Sequence, residues 1–190
     1  MDYIYHYEQQ RADVLANVKT VVLKVGTQLL TSVHNESKGA RVKKLIDQVA
    51  WMRTQGYSVI LVSSGAIGAG MNVLGTERRP TSLPKLQAHA AVGQSRLMFL
   101  YETACEEHHF HCAQFLLTAA DVKSRQRHLN VTACLGALLD HDVLPIVNEN
   151  DSVSVEEIKF GDNDILAALV AAMLKADLTI ILTGVNGMCE

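Results

Sequence analysis

Two rhythms of apolar residues alternate along the chain. Short, nearly unbroken runs rich in β-branched residues, TVVLKV (20–25), YSVILVS (57–63), HCAQFLL (111–117), VLPIVN (143–148) and LTIILT (178–183), read as strands. Between them the spacing turns helical. ARVKKLIDQVAWMRTQG (40–56) sets Val42, Leu45, Ile46, Val49 and Met52 on one face and stops at Gly56. Gly65 to Leu74 predicts a helix of small residues, and a loop with Pro80 and Pro84 leads into a long helix over 84–108. Further helices are predicted over 124–140 and 162–175. Strands separated by helices of this length need crossover connections, which predicts an α/β fold with a mostly parallel sheet covered on both faces. Residues 1–18 form an amphipathic N-terminal extension, and no internal repeat or interdomain linker interrupts the rest.

Sheets of this kind bind ligands at the carboxyl ends of their strands, so the residues that follow each run matter most. In LKVGTQ (23–28), Lys24 breaks an apolar strand. A buried, unpaired ammonium costs several kcal/mol, so Lys24 either meets an anion or snorkels to water. Gly26 and Thr27 follow it, and their backbone can approach a phosphate closely. SSGAIGAG (63–70) places hydroxyls and glycines at a strand-to-helix junction, where free N–H groups suit a carboxylate or phosphate, although such junctions also serve close packing. It is neither a dinucleotide fingerprint nor a P-loop. NENDS (148–152) carries more polar side chains than a turn requires. In KFGDND (159–164), Asp162 is a good helix cap, but two aspartates and an asparagine together suggest added chemistry: an acid to position a lysine or divalent ion, and Asn163 to hold a substrate. A cation, a helix terminus and Asn/Asp groups along one sheet edge suit transfer of a phosphoryl group to an anionic acceptor. Two unit negative charges 4 Å apart repel by about 4 kcal/mol at an effective dielectric of 20, so such a site needs fixed positive charge and oriented donors.

Composition narrows the field. The 190 residues are 48% apolar and 19% charged, which excludes a disordered chain. The net charge of -3 gives no basic excess for a nucleic-acid backbone. The longest apolar run falls far short of the ~20 residues of a membrane span, and the N-terminus does not read as a secretory signal. Cysteines at 105, 112, 134 and 189 lack zinc or redox spacing and predict reduced, mostly buried thiols of a cytosolic protein. His108, His109 and His111 lie at a predicted helix end without acidic or Cys partners at ligand spacing, so they read as a solvated helix end and no metal site is expected. The apolar face of the helix over 84–108 is open to core packing or to a dimer seam, hence a homo-oligomer.

The motifs VVLKVGT, VSSGAIGAG, AAVGQSRLM (90–98), QFLLTAAD (114–121), LPIVNENDSV (144–153) and IKFGDNDILAAL (158–169) together resemble the glutamate 5-kinases of the amino acid kinase superfamily. The similarity runs in order over about residues 19–188. It implies a three-layer α/β/α sandwich, a cytoplasmic location, and ATP- and Mg2+-dependent phosphorylation of the γ-carboxylate of L-glutamate, the first step of proline synthesis. It also implies that Lys24 contacts the transferring phosphate, that Gly26 and Thr27 cradle phosphates, and that Ser64 and Gly65 receive glutamate. Asn148, Asp151 and Asn163 would hold the substrate, with Asp151 pairing its amino group, and Asp164 would organise the catalytic lysine. Thr183 and Gly184 stand where the family has an ATP-contacting Thr-Asp pair, and Gln28 stands where it usually has a serine.

The chain ends at Glu190, whereas the family's following half supplies the adenine and ribose pocket and a second phosphate-binding lysine. Residues 19–190 are therefore expected to be a truncated amino acid kinase domain, its sheet incomplete at the C-terminus and its last strand an exposed edge. The 190-residue chain is expected to bind ATP weakly and turn over poorly; tight one-to-one binding of a non-hydrolysable ATP analogue in isothermal titration would contradict this. Two alternatives stand beside the kinase: a non-catalytic glutamate-binding or regulatory remnant, and a kinase for another small acceptor such as aspartate, N-acetylglutamate, carbamate or a nucleoside monophosphate.

Overall fold

Val21, Val22, Leu23 and Val25 have almost no solvent contact, as the unbroken apolar run requires of a strand covered on both faces. In the computed structural model, which describes residues 2–27, 37–154 and 162–184, this run is β1 (Thr20–Val25) of a five-stranded sheet. Its other strands are β2 (Ser58–Ser63), β3 (Cys112–Leu117), β4 (Leu144–Glu149) and β5 (Leu178–Leu182). The order is β3-β4-β2-β1-β5, and every pairing is parallel. The helices are α1 (Asp2–Leu15), α2 (Lys38–Thr54), α3 (Ala66–Leu74), α4 (Leu83–Glu106), α5 (Ala119–Lys123), α6 (Arg125–Asp140) and α7 (Asn163–Leu174).

Strand alternation divides the core in two. Leu23, Val25, Val59, Leu61 and Ile146 pack with Val42, Ile46 and Val49 of α2 and Leu97 and Tyr101 of α4. Val22, Ile60, Val62 and Val147 pack with Leu135 of α6 and Leu166, Ala167 and Val170 of α7. The result is the three-layer α/β/α sandwich. Lys24 shares the parity of Val22 and so points into the α7 layer. The buried face of α4, including Ala90, Gly93, Leu97, Tyr101 and Ala104, is accounted for by packing within this chain.

Helix limits follow local chemistry. Ser37 caps α2 by accepting from the Ala40 N–H at 3.2 Å, and α2 ends at Thr54, two residues before Gly56, which takes a φ of 87°. Helix α4 stops at Glu106 and not at 108, because His109 turns the chain at a φ of 61°. The short helix α5 was not anticipated from apolar spacing. Its basis is a capping box: the Asp121 carboxylate accepts from the Thr118 N–H and hydroxyl at 2.8 and 2.6 Å.

The histidine cluster spans the turn from α4 to β3, and unlike the sequence reading two of its members have acidic partners. His108 Nε2 lies 2.7 Å from Asp47, and His111 Nδ1 lies 2.7 Å from Glu102. Among the described residues, no three His, Cys, Asp or Glu side chains gather as metal ligands. The cysteines differ from the expectation of mostly buried thiols: Cys105 is buried, Cys112 is half-buried and Cys134 is exposed on α6, a helix with one face to solvent. Cys189 and Gln28 lie outside the described residues. No helix among the described residues is long and apolar enough to cross a membrane. Strand β5 is an edge of the described sheet, and Ile181 on it is exposed.

Asp177 ties β5 to β1. Its carboxylate accepts from the Lys19 and Thr20 N–H groups, both at 2.9 Å, and these bonds hold its pKa below the ordinary value of 3.8. A depressed folded-state pKa contributes stability that is present above the unfolded-state value and disappears as pH falls through the folded value. Asp177→Asn should therefore lower stability at neutral pH and flatten its fall below about pH 4. Urea unfolding of both proteins across pH 3 to 7 measures this, and parallel curves would contradict it.

Candidate functional site

Strand register assembles the site. Val25 lies opposite Ser63 on β2 and opposite Leu182 on β5, and Val62 lies opposite Val147 on β4. The residues that follow, Gly26, Ser64, Asn148 and Thr183, therefore come to one rim of the sheet. Helices α3 and α7 begin over the same rim. A cleft of about 300 Å³ opens there, lined by residues that include Thr27, Ser64, Gly65, Asn148, Asp151 and Asn163.

Lys24 reaches this rim from within the α7 layer. Its side chain is 9% exposed, and its Nζ lies 2.6 Å from Asp164 Oδ1. Asp164 sits in the first turn of α7, where the helix terminus favours a carboxylate. Asp162 caps the same helix by accepting from the Asp164 N–H at 3.3 Å. A Cβ placed at Gly26 would lie 3.7 Å from Lys24 Nζ and from the Leu182 carbonyl, so the ammonium lies beside the side-chain position that the glycine leaves empty. The pair answers the question raised by a lysine in an apolar strand: it meets an anion.

Asn163 is the hub of the polar network. Its Nδ2 lies 2.7 Å from the Ser63 carbonyl, 3.0 Å from Ser64 Oγ and 3.1 Å from Asn148 Oδ1. Ser64 Oγ donates to the Val25 carbonyl at 3.0 Å, which locks β2 to β1 at the rim. Behind it, Ser63 Oγ lies 2.8 Å from the buried Tyr101 hydroxyl, whose pKa burial pushes well above the ordinary phenol value. Asn148 is 2% exposed and its amide is mostly taken up by protein groups: Nδ2 donates to Gln94 at 3.0 Å, and Oδ1 accepts from the Glu149 N–H at 2.9 Å.

Helix α3 presents its N-terminus to the cleft. Gly65 at its N-cap has a φ of 94°, a left-handed conformation that L side chains rarely adopt. The first turn, Ala66 to Gly68, lines the cleft with N–H groups that have no partner within the helix. Helix α3 is held there by contact with α4 at two glycines. A Cβ on Gly93 would fall 1.7 Å from the Ala66 carbonyl, and one on Gly70 would fall 1.9 Å from the His89 carbonyl. His89 also braces the loop after α3: Nδ1 donates to the Lys85 carbonyl at 2.6 Å, which leaves Nε2 to accept from Thr76 at 2.9 Å.

The structure thus brings Lys24, Gly26, Ser64, Gly65, Asn148, Asn163 and Asp164 together through contacts, with Thr27 and Asp151 on the cleft wall. Thr183 and Gly184 follow β5 at the same rim, beyond the cleft lining, and both are exposed. Arg79, Glu149 and Gln94 were not anticipated. Arg79 lines the cleft from the α3–α4 loop, which carries no motif; Glu149 is hidden in a polar run; Gln94 lies on a helix whose pattern reads as core.

Residues 19–190 match the amino acid kinase family. The glutamate 5-kinase of Geobacter metallireducens is 48% identical over 180 residues, which span 95% of this chain and 48% of that protein. The glutamate 5-kinase of Clostridium acetobutylicum is 47% identical over 180 residues, 95% of this chain and 67% of that protein. The chain thus spans about half the length of the Geobacter relative. Among solved structures, a Giardia carbamate kinase superposes with a TM-score of 0.64 at 19% identity, covering 91% of this chain and 75% of that one. At this identity the likeness is one of fold, and it agrees with the three layers described above.

Proposed function

The chain belongs to the amino acid kinase family, and on that premise we propose that its cleft binds L-glutamate for transfer of the γ-phosphoryl group of ATP to the γ-carboxylate, the first step of proline synthesis in the cytoplasm. The observation that carries this reading is the Lys24–Asp164 pair at 2.6 Å beside a small polar cleft. Simple amino acid binding needs no buried ammonium held at a strand end. Phosphoryl transfer between two anions does.

A free amino acid carries both charges, and the cleft offers both complements. The α3 terminus and Arg79 face a carboxylate, while Asp151 and the Asn163 carboxamide oxygen face an ammonium. Gly26 and Thr27 leave backbone open toward phosphate groups, with Thr183 and Gly184 at the adjoining strand end. Mg-ATP, when bound, supplies the transferable phosphoryl group. Magnesium in such sites takes phosphate oxygens and water with one or two carboxylates, and Asp162 and Asp164 are the acids at the start of α7, with Glu149 and Asp151 also on the cleft wall. The residues present therefore fit the phosphate end of a nucleotide.

Incubation of the chain with L-glutamate, Mg-ATP and hydroxylamine tests the reading. The expected result is γ-glutamyl hydroxamate, formed slowly and absent with Lys24→Ala. Glutamate binding with no hydroxamate would support the non-catalytic glutamate-binding alternative, and faster turnover of aspartate or N-acetylglutamate would reassign the acceptor. Arg79→Ala should weaken glutamate binding about tenfold, because a hydrogen bond to a charged group contributes about 1.5–3 kcal/mol and this arginine is exposed. Isothermal titration measures it, and unchanged affinity would remove Arg79 from the site.

A further inference from the structure

Gln94 is 7% exposed on α4, at a place where an aliphatic side chain would be cheaper to bury. It is absent from the lining of the main cleft. Among the described residues its Nε2 has no hydrogen-bond partner, so only its other end can account for a glutamine here. Its Oε1 does have a partner, Asn148 Nδ2 at 3.0 Å.

From that contact a relay runs to the cleft, and its direction is fixed at both ends. The Glu149 backbone N–H can only donate, so the Asn148 atom 2.9 Å away is the carboxamide oxygen. The Ser63 carbonyl can only accept, so the Asn163 atom 2.7 Å away is the amide nitrogen. Asn163 Nδ2 and Asn148 Oδ1 then meet at 3.1 Å in matching sense. Asn148 must turn its own Nδ2 the other way, where Gln94 is the acceptor. With its nitrogen held inward, Asn163 presents its carboxamide oxygen to the cleft it lines. A carbonyl oxygen accepts hydrogen bonds and cannot donate, so it favours a ligand with a protonated amine.

We infer that Gln94 is a positioning residue that, through Asn148, holds the Asn163 oxygen toward the cleft and so sets the site's selection for an ammonium-bearing acid over its deaminated analogue. Removing the Gln94 acceptor leaves a buried N–H of Asn148 unmatched and frees that amide to rotate. Asn163 then keeps the Ser63 carbonyl and Ser64 Oγ but loses the fixed Asn148 oxygen, the acceptor that completes its orientation. This inference rests on the glutamate reading for its ligand, but the relay itself does not.

The test compares the chain with its Gln94→Leu and Gln94→Glu variants in two measurements. The first is the affinity ratio of L-glutamate to glutarate, which differ by the amino group. The unaltered chain should prefer glutamate; Gln94→Leu should lose about tenfold of that preference while glutarate affinity changes less than twofold. Gln94→Glu, whose carboxyl group offers an acceptor oxygen at the same place, should keep it. The second is hydrogen exchange of the Asn163 side-chain amide without ligand, its resonances identified by their loss in Asn163→Asp. Protection should be present in the unaltered chain, weakened in Gln94→Leu and restored in Gln94→Glu. Equal weakening of both ligands would mark a purely structural role and overturn the inference, as would Asn163 protection that persists undiminished in Gln94→Leu. Should the unaltered chain bind neither acid, the glutamate reading fails while the exchange measurement still decides the relay. If Gln94→Leu does not fold, loss of protection in a folded Gln94→Glu would overturn it.

Discussion

Lys24→Ala is expected to abolish hydroxamate formation, with a fall of about 10³-fold, the upper range for removing one charge-stabilising donor from a transfer site. The glutamate affinity should stay within about threefold, because the ammonium serves the transferring group and not the resting acid. The loss of stability should be modest for a pair with one buried member. Breaking a buried ion pair costs about 3–5 kcal/mol when the survivor stays buried, but Asp164 is 42% exposed and water can solvate it. Asp164→Asn should act in the same direction and less strongly, by about 10- to 100-fold, since it disturbs the lysine without removing it. Rates for both variants beside urea melts separate chemistry from folding. A Lys24→Ala protein that keeps its hydroxamate signal would remove this residue from the reaction.

Gly93→Ala is expected to be the most destabilising glycine-to-alanine change among the described residues. The added carbon would sit 1.7 Å from the Ala66 carbonyl oxygen and 2.4 Å from the Gly70 nitrogen. Both are backbone atoms of α3, so no side chain can turn aside. Helices α3 and α4 must separate, and α3 carries the Gly65–Gly68 turn that lines the cleft. A cost of at least about 3 kcal/mol follows from the upper end of overpacking, which in a chain of this size lowers the melting temperature by about 6–12 °C. Glutamate binding should fall with it. Gly136→Ala is the control: among the described residues nothing lies within 4 Å of a Cβ there, and replacing a mid-helix glycine should raise stability by about 1 kcal/mol. Thermal melts of the two variants decide the matter, and similar shifts would contradict it.

The layers of the fold were legible because each strand is covered on both faces. Val21, Val22 and Leu23 could not stay so apolar in a strand with one wet face. Lys24 stood out for the same reason, and strand parity sends it into the α7 layer that Asp164 begins. The direction of the asparagines was not legible. Asn148 lies near the end of β4 at the rim, yet its amide turns to Gln94, Glu149 and Asn163; nothing in NENDS distinguishes that from a side chain open to ligand. Gln94 was hidden because a single polar residue on a helix face looks like a boundary position until its partner, 54 residues away, is placed. Arg79 came from a loop, where no periodicity constrains the side chain. The capping box at Thr118 and Asp121 was readable in TAAD, but a helix of five residues leaves no apolar rhythm.

The most direct test of the account is a titration of the 190-residue chain with L-glutamate followed by backbone and side-chain amide resonances. The account predicts saturable shifts at the Gly65–Gly68 turn, at Asp151 and at the Asn163 carboxamide, with the amino end of the strands silent. Saturable shifts confined to another face of the molecule, or no shift at any concentration, would contradict it.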